Sequence, residues 1–417
     1  MTSIERHELR YQRRKAKRLK NRFAICNKSF DEVFSFSNLM DAGHKACNGS
    51  TWKASTINFK YNMVYRVSGI HNTIHNHVRT FNGFHSFTTI EHGKLRNIDA
   101  LPIGDRTIQK CLCKNMLTEA YSRSFILDNS ASLKDRGMDF QLKRLKKHLS
   151  DHYRKYGLQG GIYQFDFKSY FDSLSHKNIK ERARKIIYDD KIYNLFCSFI
   201  DDFQMRKTAD KHAIVPHGVG LGSEVSQIIA LDYASPIDHY VKDVRSIHGY
   251  GRYMDDGYII SNSLKELYDI KDNLYRLAES FGLKMSDKKN IITPFAHHSF
   301  TFLKIRIHIT GTGKIVMKLS RKSIRAMIRK LKIFRLWLDI GRMDFEDIAQ
   351  SYQSWRAHAK RCNSYNTLYH MDILFVKLFE NELAHRKNRF KCTLKVIKNS
   401  NNNWVYIPIK KKENLIA

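Results

Sequence analysis

The sequence lacks any run of roughly 20 apolar residues, the length that a helix needs to cross a bilayer. Its first residues are charged from Glu5 onward and contain no apolar segment typical of a secretory signal. The seven cysteines do not have the spacing of a zinc ligand set, and only Cys111 and Cys113 are close together. We therefore expect a soluble, cytoplasmic protein with reduced thiols and no membrane partner.

Acidic residues are scarce relative to basic ones. Asp and Glu total 40 against 73 Lys and Arg, a formal surplus of +33. Such a surplus repels itself unless a polyanion neutralises part of it, and nucleic acid is the natural counter-charge. A basic structural or ribosome-associated protein would share this balance, so charge indicates a class of partner and not a reaction.

A basic extension is expected at residues 1–50. Within 5–23 it carries Arg13, Arg14 and Lys17 on a predicted helix or arm. These cations either form a solvated helix face or contact phosphates. We favour phosphates, because few acidic residues nearby balance the charge.

Residues 50–110 are predicted to form a small basic sheet, because β-like runs such as YNMVYRV and FHSFTTI alternate there with Gly and Asn turns. Histidines cluster in this segment: His71, His75, His77, His85 and His92. A metal site is one interpretation. Surface or RNA-contacting histidines are favoured, because no Cys or carboxylate keeps ligand spacing with them.

The remaining chain alternates helical and strand patterns. Residues 138–156, 177–202, 224–242 and 263–281 have helical spacing, and IHGYGRYMDDGYIISN indicates strand, two-residue turn, strand. After Ser320, two basic amphipathic helices and a third helical segment are predicted up to about residue 390, and 391–417 is expected to be a loosely attached hairpin or strand.

Three carboxylates stand at the ends of predicted strands. Asp166 lies in QFDF, and Asp255 and Asp256 occupy the turn of an apolar hairpin. Adjacent acids are common at surface turns, but carboxylates grouped in this way can also bind divalent metal ions. Nucleotide addition needs two divalent ions about 3.5–4 Å apart, fixed by carboxylates. The pattern therefore predicts a site for two Mg²⁺ ions, with Mn²⁺ as a substitute.

The order of these motifs resembles the reverse-transcriptase family over roughly residues 90–310. GIYQFDFKSYFDSLSH is similar to that family's first catalytic block, HGVGLGSEVSQ to its substrate-pocket block, and RYMDDGYII to the block with the second and third carboxylates. The resemblance implies an RNA-directed DNA polymerase with an α/β (α+β) right-hand fold. Fingers and an antiparallel-sheet palm are expected at 51–319, a helical thumb at 320–390 and a tail at 391–417.

The resemblance also implies roles for individual residues. Asp166, Asp255 and Asp256 would be catalytic and, with Phe167, would form the metal site, while Phe171 would be a steric gate against ribonucleotides. The expected dNTP-binding set is Lys94, Arg96, Arg106, Phe171, Gly222, Ser226, Gln227 and Lys289, the last being favoured over its neighbour Lys288. Besides the basic arm, nucleic acid is expected to contact Tyr253, Leu303 and Lys304, the last of which stands where many relatives have glycine.

Two departures narrow the resemblance. Leu221 occupies a position that is Gln in retroviral, group II intron and retron enzymes, and Gln227 replaces their proline. Loss of a polar contact there should relax geometric checking of the incoming nucleotide. Similar changes occur in diversity-generating retroelement enzymes and in bacterial abortive-infection and "unknown group" reverse transcriptases, many of them antiphage systems. SASLKDRGMDFQLKRLKKHL, SQIIALDYASPIDHYVKD and SYQSWRAHAKRCNSY look most like that last group.

We therefore expect a role in antiviral defence, with an RNA template, a DNA product and dNTPs as partners. A dedicated structured non-coding RNA, a partner polymerase or effector protein, and a homo-oligomer are further candidate partners. Sequence diversification and element mobility remain alternatives. From other classes, the rivals are a non-catalytic RNA-binding scaffold and an RNA-dependent RNA polymerase, against which Phe171 argues.

Overall fold

The structure is a computed structural model, and it describes residues 9, 12, 13, 16, 17, 20, 25–76, 83–91, 94–204, 216–287, 289–296 and 298–408. Arg14, His77 and His92 lie outside the described residues. The chain divides into two compact units. The first comprises Met1–His148 and Gly161–Ile292, and the second comprises Leu149–Gly160 and Thr293–Ala417.

Helices open the described part of the first unit. They are α1 (Phe30–Val33), α2 (Phe36–Cys47), α3 (Ala54–Tyr61) and α4 (Met63–His75). Ser29 and Glu32 form a reciprocal capping box that fixes the start of α1. Ser35 caps α2 by accepting a hydrogen bond from the Asn38 amide.

The predicted strand YNMVYRV is wrong, because its residues fall in α3 and α4. The β-branched and aromatic content of this run favoured a strand. In the structure, however, Met63, Val67 and Ile74 are buried at helical spacing, and helix α4 packs against α2. Burial of one helical face therefore outweighs local strand propensity here.

An antiparallel hairpin follows, formed by β1 (His85–Glu91) and β2 (Lys94–Ala100). Its first strand confirms the strand predicted from FHSFTTI. Next come α5 (Ile103–Leu112), a π-helical turn (Cys113–Leu117), α6 (Thr118–Ser122) and the long α7 (Met138–Tyr156).

A four-stranded sheet follows, in the order β4-β5-β3-β6. Its strands are β3 (Gly161–Phe165), β4 (Tyr250–Tyr253), β5 (Asp256–Ser261) and β6 (Ile291–Pro294). Strand β5 pairs antiparallel with both β3 and β4, and Phe165 stands opposite Gly257. A Cβ at Gly257 would overlap the Phe165 ring, so the close approach of these strands requires glycine there.

Five further helices belong to the described part of the first unit. They are α8 (His176–Arg184), α9 (Asp190–Gln204), α10 (Glu224–Tyr233), α11 (Ser235–His239) and α12 (Leu264–Ser280), with a 3₁₀ turn at Tyr170–Ser173 and a π turn at Tyr240–Val244. A continuous apolar core runs through the unit, and Tyr163, Phe165 and Ile259 of the sheet belong to it. The sheet therefore packs into a single apolar core, and close packing of that core limits its movement.

The second unit contains a three-stranded antiparallel sheet and a helical bundle. The strands are β7 (Phe300–Phe302), β8 (Ile305–Ile309) and β9 (Ile315–Leu319), in that order. The helices are α13 (Arg321–Asp339), α14 (Phe345–Ala359), α15 (Tyr365–Leu378) and α16 (Glu380–Ala384), and a hairpin of β10 (Lys395–Lys398) and β11 (Trp404–Ile407) follows. The three long helices confirm the helices predicted after Ser320.

The long helices are amphipathic, not uniformly apolar. In α13, for example, Met327, Leu331 and Phe334 are buried while most of the basic side chains are exposed. Across the part of the chain that the structure describes, no helix has both the length and the apolar character needed to span a membrane.

Candidate active site

Asp166 is the residue that follows the last residue of β3. Its backbone is fixed by a neighbouring loop, because the Ser286 amide donates to the Asp166 carbonyl at 2.8 Å. Phe167 and Met285 form an isolated antiparallel β-bridge. Beyond this bridge, the Lys168 amide donates to the Lys284 carbonyl at 2.8 Å. Asp166 is therefore held from both sides at the end of a buried strand.

Asp255 and Asp256 lie at the tip of the β4–β5 hairpin. Tyr253 pairs with Asp256, so Met254 and Asp255 are the two turn residues. Met254 has a φ of +59°, in the left-handed region that side chains other than Gly, Asn and Asp rarely adopt. Such a conformation costs on the order of 1–3 kcal/mol and persists only when surrounding contacts enforce it.

The side chain of Arg252 makes the contacts that stabilise this strained turn. Its Nη1 donates to the Met254 carbonyl at 2.7 Å, and its Nε and Nη2 donate to the Asp238 carboxylate at 2.7 and 2.6 Å. Both side chains are 0 % exposed. The Tyr250 hydroxyl also donates to Asp238, at 2.6 Å. A satisfied buried ion pair thus fixes the backbone next to Asp255.

The three carboxylates converge on one small volume. Asp166, Asp255 and Asp256 each offer an oxygen, and these oxygens lie within 4.8 Å of one another. Among the described residues, this is the one cluster of carboxylate, His or Cys ligands that could hold a metal. Asp166 is 6 % exposed, and its buried Oδ1 has no hydrogen-bond partner among the described residues. An unpartnered buried oxygen among carboxylates fits a hard divalent cation.

Burial and mutual repulsion both oppose the ionisation of these carboxylates. Burial, and then the charge of Asp166, raises the pKa of Asp255. Burial, and then the charge of Asp255, raises the pKa of Asp256 to about 7. Carboxylates that resist ionisation together are stabilised by a divalent cation, which removes the repulsion between them.

Lys289 is the cation that faces this cluster. Its Nζ lies 2.9 Å from Asp166 Oδ2 and 3.4 Å from Asp256 Oδ1. Burial alone would lower the pKa of Lys289, but the hydrogen bond with Asp166 and the nearby carboxylate charges outweigh it and raise that pKa. The predicted residue Lys289 therefore joins the triad, whereas Lys288 lies outside the described residues.

Asn290 anchors the loop that carries Lys289. Its side-chain amide donates to the carbonyls of Ser286 at 2.6 Å and Asp166 at 3.3 Å, and its Oδ1 accepts from the Tyr163 hydroxyl at 3.0 Å. Asn290 is buried. It connects strand β3, Asp166 and the lysine loop in one hydrogen-bonded network.

Phe171 is half-buried at the start of the 3₁₀ turn that follows β3, with its ring edge-on to Tyr170 at 5.9 Å. The Phe171 carbonyl accepts from the Val219 amide at 2.9 Å, which connects this turn to the Gly-rich segment before α10. Gly218 has a φ of +96°, and its carbonyl accepts from the buried His176 Nε2 at 2.7 Å. Phe167 is fully buried and stacks on Tyr170.

The other residues predicted for dNTP binding are placed less uniformly. Gly222 and Gln227 are exposed, and a Cβ at Gly222 would lie 3.8 Å from the Asp99 carbonyl of β2. Ser226 is fully buried in α10, and its Oγ has no hydrogen-bond partner among the described residues. The roles of all three residues in nucleotide binding stay predictions.

The three basic residues predicted upstream are on the hairpin and on α5. Lys94 and Arg96 belong to β2, but their side chains are not among those described. The Arg106 guanidinium donates to the backbone carbonyls of Leu101 at 3.3 Å and Ala46 at 3.5 Å. Arg106 therefore holds the beginning of its own helix to the end of α2, and its role in nucleotide binding stays a prediction.

The predicted nucleic-acid contacts fall in both units. Arg13 and Lys17 are helical and exposed, and Tyr253 is half-buried beside the turn in the first unit. Leu303 and Lys304 form the two-residue turn between β7 and β8, with φ of +47° and +66°. Positive φ at both positions is typical of a type I′ turn, for which glycine is favoured at the second position.

Sequence reasoning did not single out Arg252, Asp238 or Asn290. A signal for the first two existed, because each is a lone charge within an apolar segment, GYGRYM and SPIDHYV. A buried charge is almost always paired. Nothing in the sequence indicated that the two residues pair with each other.

The antiparallel sheet and its carboxylate triad define a right-hand polymerase fold of mixed α/β class, as expected. The family model described as reverse transcriptase (RNA-dependent DNA polymerase) matches residues 85–307, more than half of the chain. The chain belongs to the reverse transcriptase family. No curated protein sequence matches it.

Solved structures of telomerase from Candida tropicalis are similar to this chain. The apo enzyme truncated from its C-terminal domain matches 57 % of this chain and 55 % of its own, with 14 % identity and a TM-score of 0.42. The apo enzyme matches 72 % of this chain and 58 % of its own, also with 14 % identity and a TM-score of 0.42. The chain thus spans a little over half the length of these telomerase chains.

Proposed function

We propose that this protein extends a primer 3′-hydroxyl with dNTPs on an RNA template, using two Mg²⁺ ions held by Asp166, Asp255 and Asp256. The observation that carries the proposal is the convergence of three carboxylates from two strands within 4.8 Å, with one buried Asp166 oxygen unpartnered among the described residues. Mn²⁺ is expected to substitute, since the ligands are carboxylate oxygens.

Bound divalent cations would supply Lewis-acid activation of the 3′-hydroxyl and neutralise the triphosphate. The residues of the chain do the rest. Asp166 offers a fixed oxygen at the end of β3, and the strained turn holds Asp255 and Asp256 opposite it. Phe171 excludes a 2′-hydroxyl by contact with the sugar, which selects dNTPs over rNTPs.

Lys289 is assigned to the leaving group. The neighbouring carboxylates raise its pKa, so the ammonium stays protonated at neutral pH. A protonated amine beside the metal ligands can donate its Nζ proton to the departing pyrophosphate and neutralise its charge. The ion pair with Asp166 positions the Lys289 ammonium beside the metal ligands in the free protein, before the nucleotide binds.

The biological role that we propose is antiphage defence with a dedicated non-coding RNA as template. Support comes from the sequence resemblance, including Leu221 and Gln227. The structure places Leu221 half-buried beside Gly222 and Gln227 exposed on α10. A surplus of +33 charges suits lasting attachment to an RNA. Sequencing of the nucleic acid that copurifies with the protein should yield one recurrent transcript and complementary DNA, and a random RNA population would contradict this role.

A primer-extension assay tests the reaction. Wild-type protein with Mg²⁺, primed RNA and labelled dNTPs should extend the primer, and Asp255→Asn should abolish extension. Asp201→Asn is the matched control, because Asp201 is an exposed acid of the same unit that pairs with Lys180. If the wild type extends no primed or self-primed RNA, an RNA-binding scaffold replaces this proposal.

A further inference from the structure

Three large aromatic side chains near the beginning of the first unit are almost fully exposed. Trp52 is 76 % exposed, Tyr61 88 % and Tyr65 79 %. We call these three residues the aromatic platform. Single exposed apolar side chains are normal on a protein surface, whereas larger exposed apolar patches mark binding sites. The platform takes no part in the active site described above.

The geometry of α3 and α4 brings two of these rings together. Only Asn62 separates the helices, and the helical hydrogen-bond pattern passes through it. The Asn62 amide donates to the Asn58 carbonyl at 3.1 Å, and the Arg66 amide donates to the Asn62 carbonyl at 2.9 Å. Tyr61 and Tyr65 are four residues apart, so their side chains project from the same helical face.

Charge distinguishes this surface from the rest of the chain. From residue 42 to residue 90 the sequence contains no Asp or Glu, although these make up 40 of the 417 residues. Lys53, Lys60 and Arg66 are exposed beside the rings. The Lys53 ammonium lies 5.3 Å from the centre of the Trp52 ring, a cation–π contact. The segment that carries the platform is therefore aromatic, and all of its Asp, Glu, Lys and Arg side chains are basic.

We propose that the aromatic platform binds a single-stranded segment of nucleic acid, separate from the duplex held at the active site. Exposed rings stack on bases without regard to sequence, while nearby cations follow the backbone phosphates. The chemistry suits unpaired RNA or DNA, because paired bases do not offer their faces for stacking.

Other occupants fit the surface less well. Protein interfaces also use Tyr and Trp, but they are depleted in Lys, which flanks two of these rings. A second copy of the same chain would bring a second segment with only basic charged residues into contact with the first, which is unfavourable. An anionic membrane would attract the same cations, so binding to anionic vesicles is measured as well.

The test is binding of a single-stranded RNA of about 12 nucleotides, which lies within the usual range of single-strand site sizes. Fluorescence anisotropy compares the wild type with the triple variant Trp52→Ala, Tyr61→Ala, Tyr65→Ala. Each lost ring should weaken binding by about tenfold, as removal of one stacked base partner does. The retained-ring variant Trp52→Phe, Tyr61→Phe, Tyr65→Phe should keep most of the affinity.

Tyr268→Ala is the matched control, since Tyr268 is an exposed ring of the same unit that lies among acidic residues of α12. It should bind like the wild type. Lys53→Gln with Lys60→Gln should reduce the salt dependence of log K by about 1.4, the value for two phosphate contacts on a single strand. All variants should melt within about 2 °C of the wild type, because the changes are on the surface.

Matched RNA and DNA oligonucleotides identify the source of the strand. Preference for RNA indicates an unpaired part of a transcript, and preference for DNA indicates product; both support the platform. Wild-type affinity in the triple variant would overturn the proposal. It would also be overturned if the variant lost only binding to anionic vesicles or only self-association. Because the experiment measures binding and not activity, its result tests the platform even if the protein fails to extend a primer.

Discussion

Arg252 Nη1 donates a hydrogen bond to the carbonyl oxygen of Met254 at 2.7 Å. Through this bond the fully buried Arg252–Asp238 pair holds the residue that precedes Asp255. The turn is strained at Met254, where φ is +59°. We infer that Arg252 is a positioning residue: it does not touch the reacting atoms but fixes two of the three carboxylates that do.

Arg252→Lys keeps the charge but loses the planar fork, so the bond to Met254 and one bond to Asp238 cannot both persist. We expect a loss of at least about 2 kcal/mol in the free energy of unfolding. We also expect a several-fold increase in the Mg²⁺ concentration that gives half-maximal primer extension.

Arg356→Lys is the matched control for this change. Arg356 forms an equally buried pair with Asp372 in the second unit, at 2.7 and 2.8 Å. It should lower stability by a similar amount and leave the Mg²⁺ requirement unchanged. An equal shift of that requirement in both variants would mean that Arg252 acts through stability alone.

The raised pKa of Asp256 predicts a pH dependence in protein stripped of metal. Burial, followed by the charge of Asp255, raises this pKa from 3.8 to about 7. Between those values the folded state binds more protons than the unfolded state, so the free energy of unfolding falls as pH rises. Asp256→Asn removes this penalty.

Thermal unfolding in a chelator should therefore show the Asp256→Asn variant gaining stability over the wild type as pH increases from about 4.5 to 7.5. Added Mg²⁺ should restore the wild type at neutral pH, because the ion replaces the proton. Parallel curves for the two proteins across this range would be inconsistent with the prediction.

Lys289→Met removes the proposed proton donor. The rate of single-turnover incorporation should fall by about 100-fold or more, the usual contribution of a general acid. Pyrophosphorolysis should fall by the same factor, because the same group acts in both directions. Lys284→Met, an exposed lysine of the same loop, should be neutral. A weaker affinity for dNTP with an unchanged maximal rate would instead assign Lys289 to substrate binding.

Phe171→Ala should open the sugar pocket. We expect the ratio of rNTP to dNTP incorporation efficiency to rise by about tenfold or more, since a steric exclusion is removed. Phe281→Ala removes another half-buried ring of the first unit and should leave this ratio unchanged. If discrimination survives in Phe171→Ala, the 2′-hydroxyl is excluded by another residue.

The hairpin that carries Asp255 and Asp256 could be predicted from sequence, because alternation and an acidic turn are local signals. Helices α7 and α12 and the three long helices after Ser320 were also predictable from their periodicity. The single helix expected at 177–202 is instead two. The first ends at Arg184, and the second begins directly after Asp189. The Asp189 carboxylate caps this second helix by accepting from the Ile192 amide, and it also accepts from the Phe30 amide, each at 3.0 Å.

What could not be predicted depends on distant pairing. Asn290 lies 124 residues from Asp166, yet the two are hydrogen-bonded. Asp238, the partner of Arg252, lies on another element. The helical arrangement of Tyr61 and Tyr65 could not be predicted, because the run YNMVYRV favours a strand. The periodicity of apolar residues predicts which face of an element is buried. It does not predict which polar side chains on distant elements form hydrogen bonds with each other.

The central claim is that three carboxylates bind a pair of divalent cations. Mn²⁺ binding measured by electron paramagnetic resonance tests it most directly, with a primer–template blocked at its 3′ end and the matching dNTP. Wild-type protein should bind two Mn²⁺ ions per chain at this site, and Asp166→Asn should bind fewer. Equal numbers of bound ions in the two proteins would contradict the account.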